Sequence, residues 1–332
     1  PMRVLFVTPR FPGAAHRGDQ IRSAALIRHL SRDHEITLLS AEAVDAASPA
    51  FAMMRAHCHE VEQCPSPTLA RLARVAAALP SRLPLQVALH ADPRLAATVR
   101  RRLAGGDYDL VHLQLARLGE LVDACGDVPV VVDFVDALSD NMRLRADAER
   151  GPARVLFSLE AGRLGHYERK LAATTTACVI SAERDAAVIG GANRPVVVPN
   201  GIDLERMSHV ADQTSRRGLV FVANWAYFPN RHGLRWLIDQ VWPLVRDAVQ
   251  DASLDLIGRD PEAIRFVDGC PGVRVLGAVD SVVPALHRAA VAVAPLHVGT
   301  GQSLKVLEAM ACGAVVVTTP AVANALGPAA HD

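Results

Sequence analysis

Charge of one sign is missing from this sequence: 35 basic side chains stand against 35 acidic ones, for a formal net charge of zero. A neutral chain has no long-range field to gather a phosphate backbone, so a nucleic-acid partner is not expected and any anion site has to be local. Missing too is any apolar run near the ~18 residues that span a bilayer. The apolar start, Val4 to Val7, breaks at Thr8-Pro9-Arg10, which reads as a strand running into a loop rather than a signal peptide. The six cysteines form no Cys-x-x-Cys pair and no disulfide-like framework, which fits a cytoplasmic setting. Lysine is nearly absent, with only Lys170 and Lys305 among the 35 basic residues, so a retained lysine is a candidate for a specific task.

What is present is apolar and periodic. Half of the 332 residues are hydrophobic, which excludes disorder, and the length favours two domains. Arg3 to Val7 is β-rich, Ile21, Ala24, Ala25, Ile27 and Leu30 recur at helical spacing, and Glu35 to Leu39 is β-rich again. Strand, loop, helix, strand is the opening of a parallel doubly wound sheet. Further strands are expected at Leu110–Leu113, Pro129–Phe134, Ala177–Ile180 and Val196–Val198. The rhythm restarts after Asn200-Gly201-Ile202-Asp203, with strands at Leu219–Val222, Leu254–Ile257, Val273–Leu276, Val291–Ala294 and Val315–Thr319. The expected organisation is an N-terminal domain over 1–204, a linker over 205–217 and a C-terminal domain over 218–332. Both are α/β Rossmann-like domains, expected to face a central cleft.

The strongest local signal is PLHVGTGQSLKVLEAMACG from Pro295. Gly299 and Gly301 allow a tight turn, and Ser303 is placed to cap the helix that carries Lys305 and Glu308. Amide groups near Gln302 and Ser303, the helix end and the Lys305 ammonium are expected to hold a diphosphate together, with Glu308 one turn deeper for ribose hydroxyls. A Gly-rich loop opening an ordinary packed helix remains the alternative. The third glycine of a dinucleotide fingerprint and the Gly-Lys-Ser/Thr of a P-loop are both missing, which removes the usual signs of hydride transfer and nucleotide hydrolysis.

Several ordered motifs together carry a resemblance. They are Phe6-Val7-Thr8-Pro9-Arg10-Phe11-Pro12 with Gly18-Asp19 and Ile21-Arg22-Ser23; Asp133-Phe134-Val135-Asp136 with Ser139-Asp140; Tyr167-Glu168-Arg169; and Val198-Pro199-Asn200-Gly201-Ile202-Asp203. Tyr227-Phe228-Pro229-Asn230, Ile257-Gly258-Arg259 and Lys305-Val306-Leu307-Glu308-Ala309-Met310 follow. In these the chain resembles the retaining glycosyltransferases of family 4, which have the two-domain GT-B fold. Within that family it is most similar to sugar transferases of bacterial surface and exopolysaccharide systems.

The resemblance implies a nucleotide-diphosphate-sugar donor held by the C-terminal domain, a saccharide or lipid-linked acceptor, and no metal or other cofactor. In the family's Glu-x7-Glu motif the second glutamate, on ribose, matches Glu308, while the first, on the transferred sugar, falls on Thr300. Lys305 then serves as a diphosphate contact. Val279, after Gly277-Ala278, matches where the nucleobase meets backbone, and Arg231 is a candidate for the family's basic group at the diphosphate. Gly18 matches the glycine that brings backbone close to donor and acceptor. Asp136 lies beside the slot of an active-site histidine, here Val135, and is expected to orient the acceptor or take its proton; a helix cap is the alternative. The family's further C-terminal helices are expected to be lacking before Asp332.

The expected activity is therefore transfer of a hexose-type sugar to a saccharide or glycolipid hydroxyl, with retention. A nucleotide-sugar epimerase and a non-catalytic nucleotide-sugar-binding protein stay open as rivals. His57-Cys58-His59-Glu60 with Cys64 has metal-ligand residue types, but on an expected strand and without zinc spacing, so no metal site is expected there. Pro65 to Gly106 holds Arg71, Arg74, Arg82, Arg94, Arg100, Arg101 and Arg102 against Asp92 alone. That stretch is either a solvated helix face or a surface resting on anionic lipid, with peripheral contact at the inner face of the plasma membrane.

Overall fold

The computed structural model describes residues 1–13, 17–191, 193–205, 207 and 216–327. The chain divides into two compact units, Pro1–Gly201 and Ile202–Asp332. Of the linker expected over 205–217, positions 206 and 208–215 lie outside the described residues.

The first unit is built on seven parallel strands: β1 (Arg3–Thr8), β2 (Glu35–Ser40), β3 (Glu60–Gln63), β4 (Leu110–Gln114), β5 (Val130–Asp133), β6 (Ala177–Ile180) and β7 (Val196–Val197). Their order across the sheet is β3-β2-β1-β4-β5-β6-β7. Helices cover both faces, so the central strand is apolar at successive positions rather than at alternate ones. Alternation then decides which core each side chain joins. Leu5 and Val7 pack with Leu39, Val111 and Leu113 on one face. Val4 and Phe6 pack with Ile36 and Leu38 on the other.

The second unit repeats the plan with five parallel strands: β8 (Leu219–Val222), β9 (Leu254–Ile257), β10 (Val273–Gly277), β11 (Val291–Ala294) and β12 (Val315–Thr318), in the order β10-β9-β8-β11-β12. Phe221, Leu254 and Leu256 face Trp225 and Trp242, while Val220 and Ala292 join Leu286 and Ala309 on the opposite face.

Around His57 the sequence expectation needs correction. His57 ends the Pro49–His57 helix, and the strand begins only at Glu60. The side chains of Glu60 and Glu62 turn to Arg102.

Each sheet contains a point where successive strands depart in opposite directions, between β1 and β4 in the first unit and between β8 and β11 in the second. Loops leaving the carboxyl ends of such neighbours diverge and leave a crevice. The candidate site residues all follow carboxyl ends of strands: Gly18 after β1, Asp136 after β5, Arg231 after β8, Val279 after β10 and Thr300 to Glu308 after β11.

Candidate functional site

In the second unit two loops border the switch point. One leaves β8 and runs from Ala223 into the Phe228–Trp236 helix; the other leaves β11 and runs from Pro295 into the Leu304–Ala311 helix. Gly299 and Gly301 have φ of +136° and +72°, conformations that L side chains rarely adopt, so the turn depends on glycine at both places. The helix that ends the first loop meets the start of the second: a Cβ added to Gly233 would lie 2.2 Å from the Pro295 carbonyl oxygen.

Lys305 fastens this contact. Its ammonium donates to Asn230 Oδ1 at 2.5 Å and lies 5.4 Å from the centre of the Phe221 ring. Asn230 is buried and donates through Nδ2 to the Asn224 carbonyl at 2.7 Å. Burial lowers the Lys305 pKa to about 8, against the Glu308 carboxylate, which raises it. Glu308 and Lys305 therefore share one electrostatic environment on the first turns of the helix. Ser303 occupies the N-cap position with extended backbone, but its side chain makes no capping bond. The sequence expectation of a Ser303 cap is corrected to that extent: the position is right and the side-chain bond is not formed. The Leu304 and Lys305 amides belong to the orphan donors of a helix start.

The remaining second-unit candidates lie along the same sheet edge. Arg231 turns its guanidinium back on its own loop, donating through Nη1 to the carbonyls of Trp225 at 2.7 Å and Ala226 at 2.5 Å. It acts here as a loop clasp. Val279 is exposed beyond the end of β10, following Gly277 at φ +69°. It stands two strands away from β8, so the edge brings together Thr300, Gly301, Gln302, Ser303, Lys305, Glu308 and Arg231, with Val279 at its far end.

In the first unit Gly18 is the exposed first residue of the Gly18–Leu30 helix, which follows β1, and Asp136 follows β5. Only β4 lies between those two strands. The Asp136 amide donates to the Phe134 carbonyl at 2.7 Å, closing a three-residue turn around Val135 at φ +64°. A β-branched residue at positive φ is strained, and here its neighbours hold it in place. Asp133 Oδ1 accepts from the Val135 amide at 3.0 Å, and the Ser181 hydroxyl donates to the Val135 carbonyl at 2.6 Å. Ser139 and Asp140 are not the cap of the next helix, whose N-cap residue is Ala137 with no side-chain bond. Asp140 instead pairs with Arg143 and Arg184.

Three features of this unit carried no assigned role in the sequence reading. Arg22 donates from Nε to Asp133 Oδ2 at 2.7 Å and from Nη1 to the Val198 carbonyl and Asn200 Oδ1, with both members of the ion pair buried. Glu168 is fully buried, accepts from the Ser139 amide at 3.3 Å, and has its pKa raised to about 7, first by burial and further by Asp136. His112 stacks on Phe6 at 4.1 Å and is held neutral by burial, which lowers its pKa to about 4. Arg22, Asp133, Glu168 and Asn230 all lie inside motifs visible in the sequence; nothing in residue type alone says which motif positions are buried.

Residues 216–328 match the family model described as glycosyl transferases group 1. A phosphatidyl-myo-inositol mannosyltransferase of Mycobacterium leprae is 25% identical over 241 residues, covering 70% of this chain. The chain spans about 60% of the length of that relative. Among solved structures, Anabaena HepE in complex with UDP and glucose aligns over 97% of this chain and 81% of its own, with TM-score 0.64 and 15% identity. WaaG, a glycosyltransferase of lipopolysaccharide biosynthesis, aligns over 97% and 82%, with TM-score 0.63 and 16% identity. Over residues 216–328 the chain is similar to the glycosyl transferases of group 1, and its fold is the GT-B fold of these solved structures. The matched segment contains every second-unit candidate, from Arg231 to Glu308.

Proposed function

We propose that this protein transfers a hexose-type sugar from a nucleotide-diphosphate-sugar to a hydroxyl of a saccharide or glycolipid, with retention at the anomeric carbon, in bacterial polysaccharide or glycoconjugate synthesis. The observation that carries the reading is the turn at the β8/β11 switch point. It requires glycine at 299 and 301, opens a helix whose N-cap side chain leaves the first amides to other partners, and sets Lys305 and Glu308 on that helix.

In this reading the donor diphosphate meets the amides around Gln302 and Ser303, with Gly301 allowing its close approach. Glu308 accepts from ribose hydroxyls, Thr300 bonds a sugar hydroxyl, and backbone near Val279 meets the base. The bond from the anomeric carbon to the phosphate oxygen breaks, and its electron pair stays on that oxygen. The helix amides and the Lys305 ammonium stabilise the charge that develops there. The acceptor oxygen forms the new bond on the same face, and its proton passes to the departing phosphate. Asp136 orients the acceptor hydroxyl from the first unit, its backbone fixed by the strained turn at Val135. Gly18 contributes the close backbone approach after β1.

The structural neighbours solved with UDP, UDP-glucose and glucose support a uridine diphosphate sugar as the first donor to test. The mannosyltransferase relative supports a lipid-linked acceptor. A cytoplasmic setting accords with six free cysteines. The test is thermal melting of the purified chain with uridine, guanosine, adenosine and thymidine diphosphates and their sugars, without added metal. A ligand bound only by the folded state raises its apparent stability. Selective stabilisation by one base, lost in Glu308→Ala, is the expected result; no response to any nucleotide rejects the donor site. Product analysis with a lipid or saccharide acceptor then distinguishes transfer from epimerisation, which would change the donor sugar with no acceptor present.

A further inference from the structure

The proposed transfer gives no task to the motif Tyr227-Phe228-Pro229-Asn230, yet its asparagine is only 3% exposed and uses its side-chain amide in two directions. Nδ2 donates to the Asn224 carbonyl at 2.7 Å, and Oδ1 accepts from the Lys305 ammonium at 2.5 Å. The side chain can face only one way, since a carbonyl cannot donate and an ammonium cannot accept. The first bond fixes the side chain against its own loop, where the Asn230 backbone amide also donates to the Tyr227 carbonyl at 3.2 Å. The second bond then aims a fixed acceptor at Lys305, one of two lysines in the chain.

The other surroundings of that lysine are largely apolar. β8 places Phe221 and Val222 against it, β11 places Ala294 and β12 places Val316. Arg231, next to Asn230, is turned to the Trp225 and Ala226 carbonyls. Among the described residues the charge that raises the Lys305 pKa comes from Glu308 on its own helix, and burial outweighs it. An apolar residue at 230 would leave burial free to strip the proton, whereas a carboxylate would keep the proton but cancel the charge in an ion pair. An amide oxygen favours the charged ammonium without cancelling it. A site that holds a diphosphate through an ammonium needs that charge both present and uncompensated.

We propose that Asn230 is a positioning residue of the donor site: its Oδ1 keeps the Lys305 ammonium protonated, uncancelled and fixed at the junction of the two helices, so that residue 230 sets the charge offered to a nucleoside diphosphate. The inference rests on the donor-site reading above and adds to it the residue that governs its cation.

The test exploits the scarcity of lysine. In the full chain labelled with carbon-13 at lysine Cε, Lys305→Met identifies the Lys305 signal and Lys170 is the internal control. Titration of the parent should place Lys305 near pH 8. Asn230→Leu removes the acceptor at similar size and should lower that value by about one to two pH units. Asn230→Asp puts a carboxylate there and should raise it by about one to three pH units. Both variants lose the donation to the Asn224 carbonyl, so a loosened loop cannot account for shifts of opposite sign. Affinity for UDP, measured by calorimetry over the same range, should fall at a lower pH in Asn230→Leu than in the parent. Asn230→Asp should bind UDP about tenfold more weakly at pH 7, the size of one charge-assisted contact, and hold that affinity to higher pH. Lysine shifts of the same sign, no shift in either variant, or a UDP profile that ignores the shifts would overturn the proposal. A parent that binds no UDP at any pH would reject the donor-site reading instead, and opposed lysine shifts would then still support the hold of Asn230 on the ammonium.

Discussion

Lys305 Nζ lies 2.5 Å from Asn230 Oδ1, and this bond joins the Phe228–Trp236 helix, after β8, to the helix after β11. In the proposed reading, this arrangement makes nucleotide binding depend on pH. With a pKa lowered to about 8, the ammonium is charged below that value and loses its proton above it. Affinity for a nucleoside diphosphate should therefore fall as pH rises through about 8, measured by calorimetric titration. Lys305→Met keeps most of the stem and should flatten that profile while weakening binding at pH 7 about tenfold, the size of one charge-assisted contact. An unchanged profile in Lys305→Met would remove the lysine from the site.

Arg22 and Asp133 form a buried pair in which removing one member leaves the other charge without compensation. Arg22→Leu should cost on the order of 3–5 kcal/mol in urea unfolding of the first unit. Adding Asp133→Asn to it should return part of the loss, because the stranded carboxylate is then gone. A single-variant loss below about 1 kcal/mol would mean that the pair is not buried as described.

Much of this was legible in the sequence because strands covered on both faces write themselves as continuous apolar runs. Val4 to Val7, Leu254 to Ile257 and Val291 to Ala294 each announce a strand, and the glycines at 299 and 301 announce the turn between strand and helix. Less legible was whatever depends on partners distant in sequence. Asn230 is a plain polar residue until the fold carries it to Lys305, 75 positions later. Arg22 meets its carboxylate 111 positions away. The same holds in the basic stretch, where Glu60 and Glu62, outside it, turn Arg101 and Arg102 into paired groups.

Glu168 gives a pH dependence of the opposite chemical kind. Its pKa is raised from 4.5 to about 7, so between those values the folded chain holds a proton that the unfolded chain has lost. Stability should then decline as pH rises from about 4.5 through 7, with a total contribution of roughly 3 kcal/mol. Glu168→Gln retains an oxygen for the Ser139 amide and carries no charge to bury. Its chemical-denaturation profile should be flatter over that interval, and at pH 8 it should be more stable than the parent. A parallel profile for the two proteins would assign the pH dependence to other groups.

Gly233 lets the Phe228–Trp236 helix meet the loop after β11 through absence of a side chain. A Cβ at this position would meet the Pro295 carbonyl oxygen at 2.2 Å and its carbon at 3.0 Å, and both are backbone atoms with little freedom to yield. Gly233→Ala should force the Phe228–Trp236 helix away from the loop after β11, at a cost of about 1–3 kcal/mol. Helix propensity works the other way, since alanine is favoured over glycine inside a helix by up to about 1 kcal/mol. The clash should win, because 2.2 Å is far inside any real contact. Asn230, one turn earlier on the same helix, should then be drawn off Lys305, so nucleotide affinity should fall together with stability. Gly162→Ala offers the control: it too is helical but has nothing within 4 Å, so propensity alone should make that variant slightly more stable with unchanged nucleotide binding.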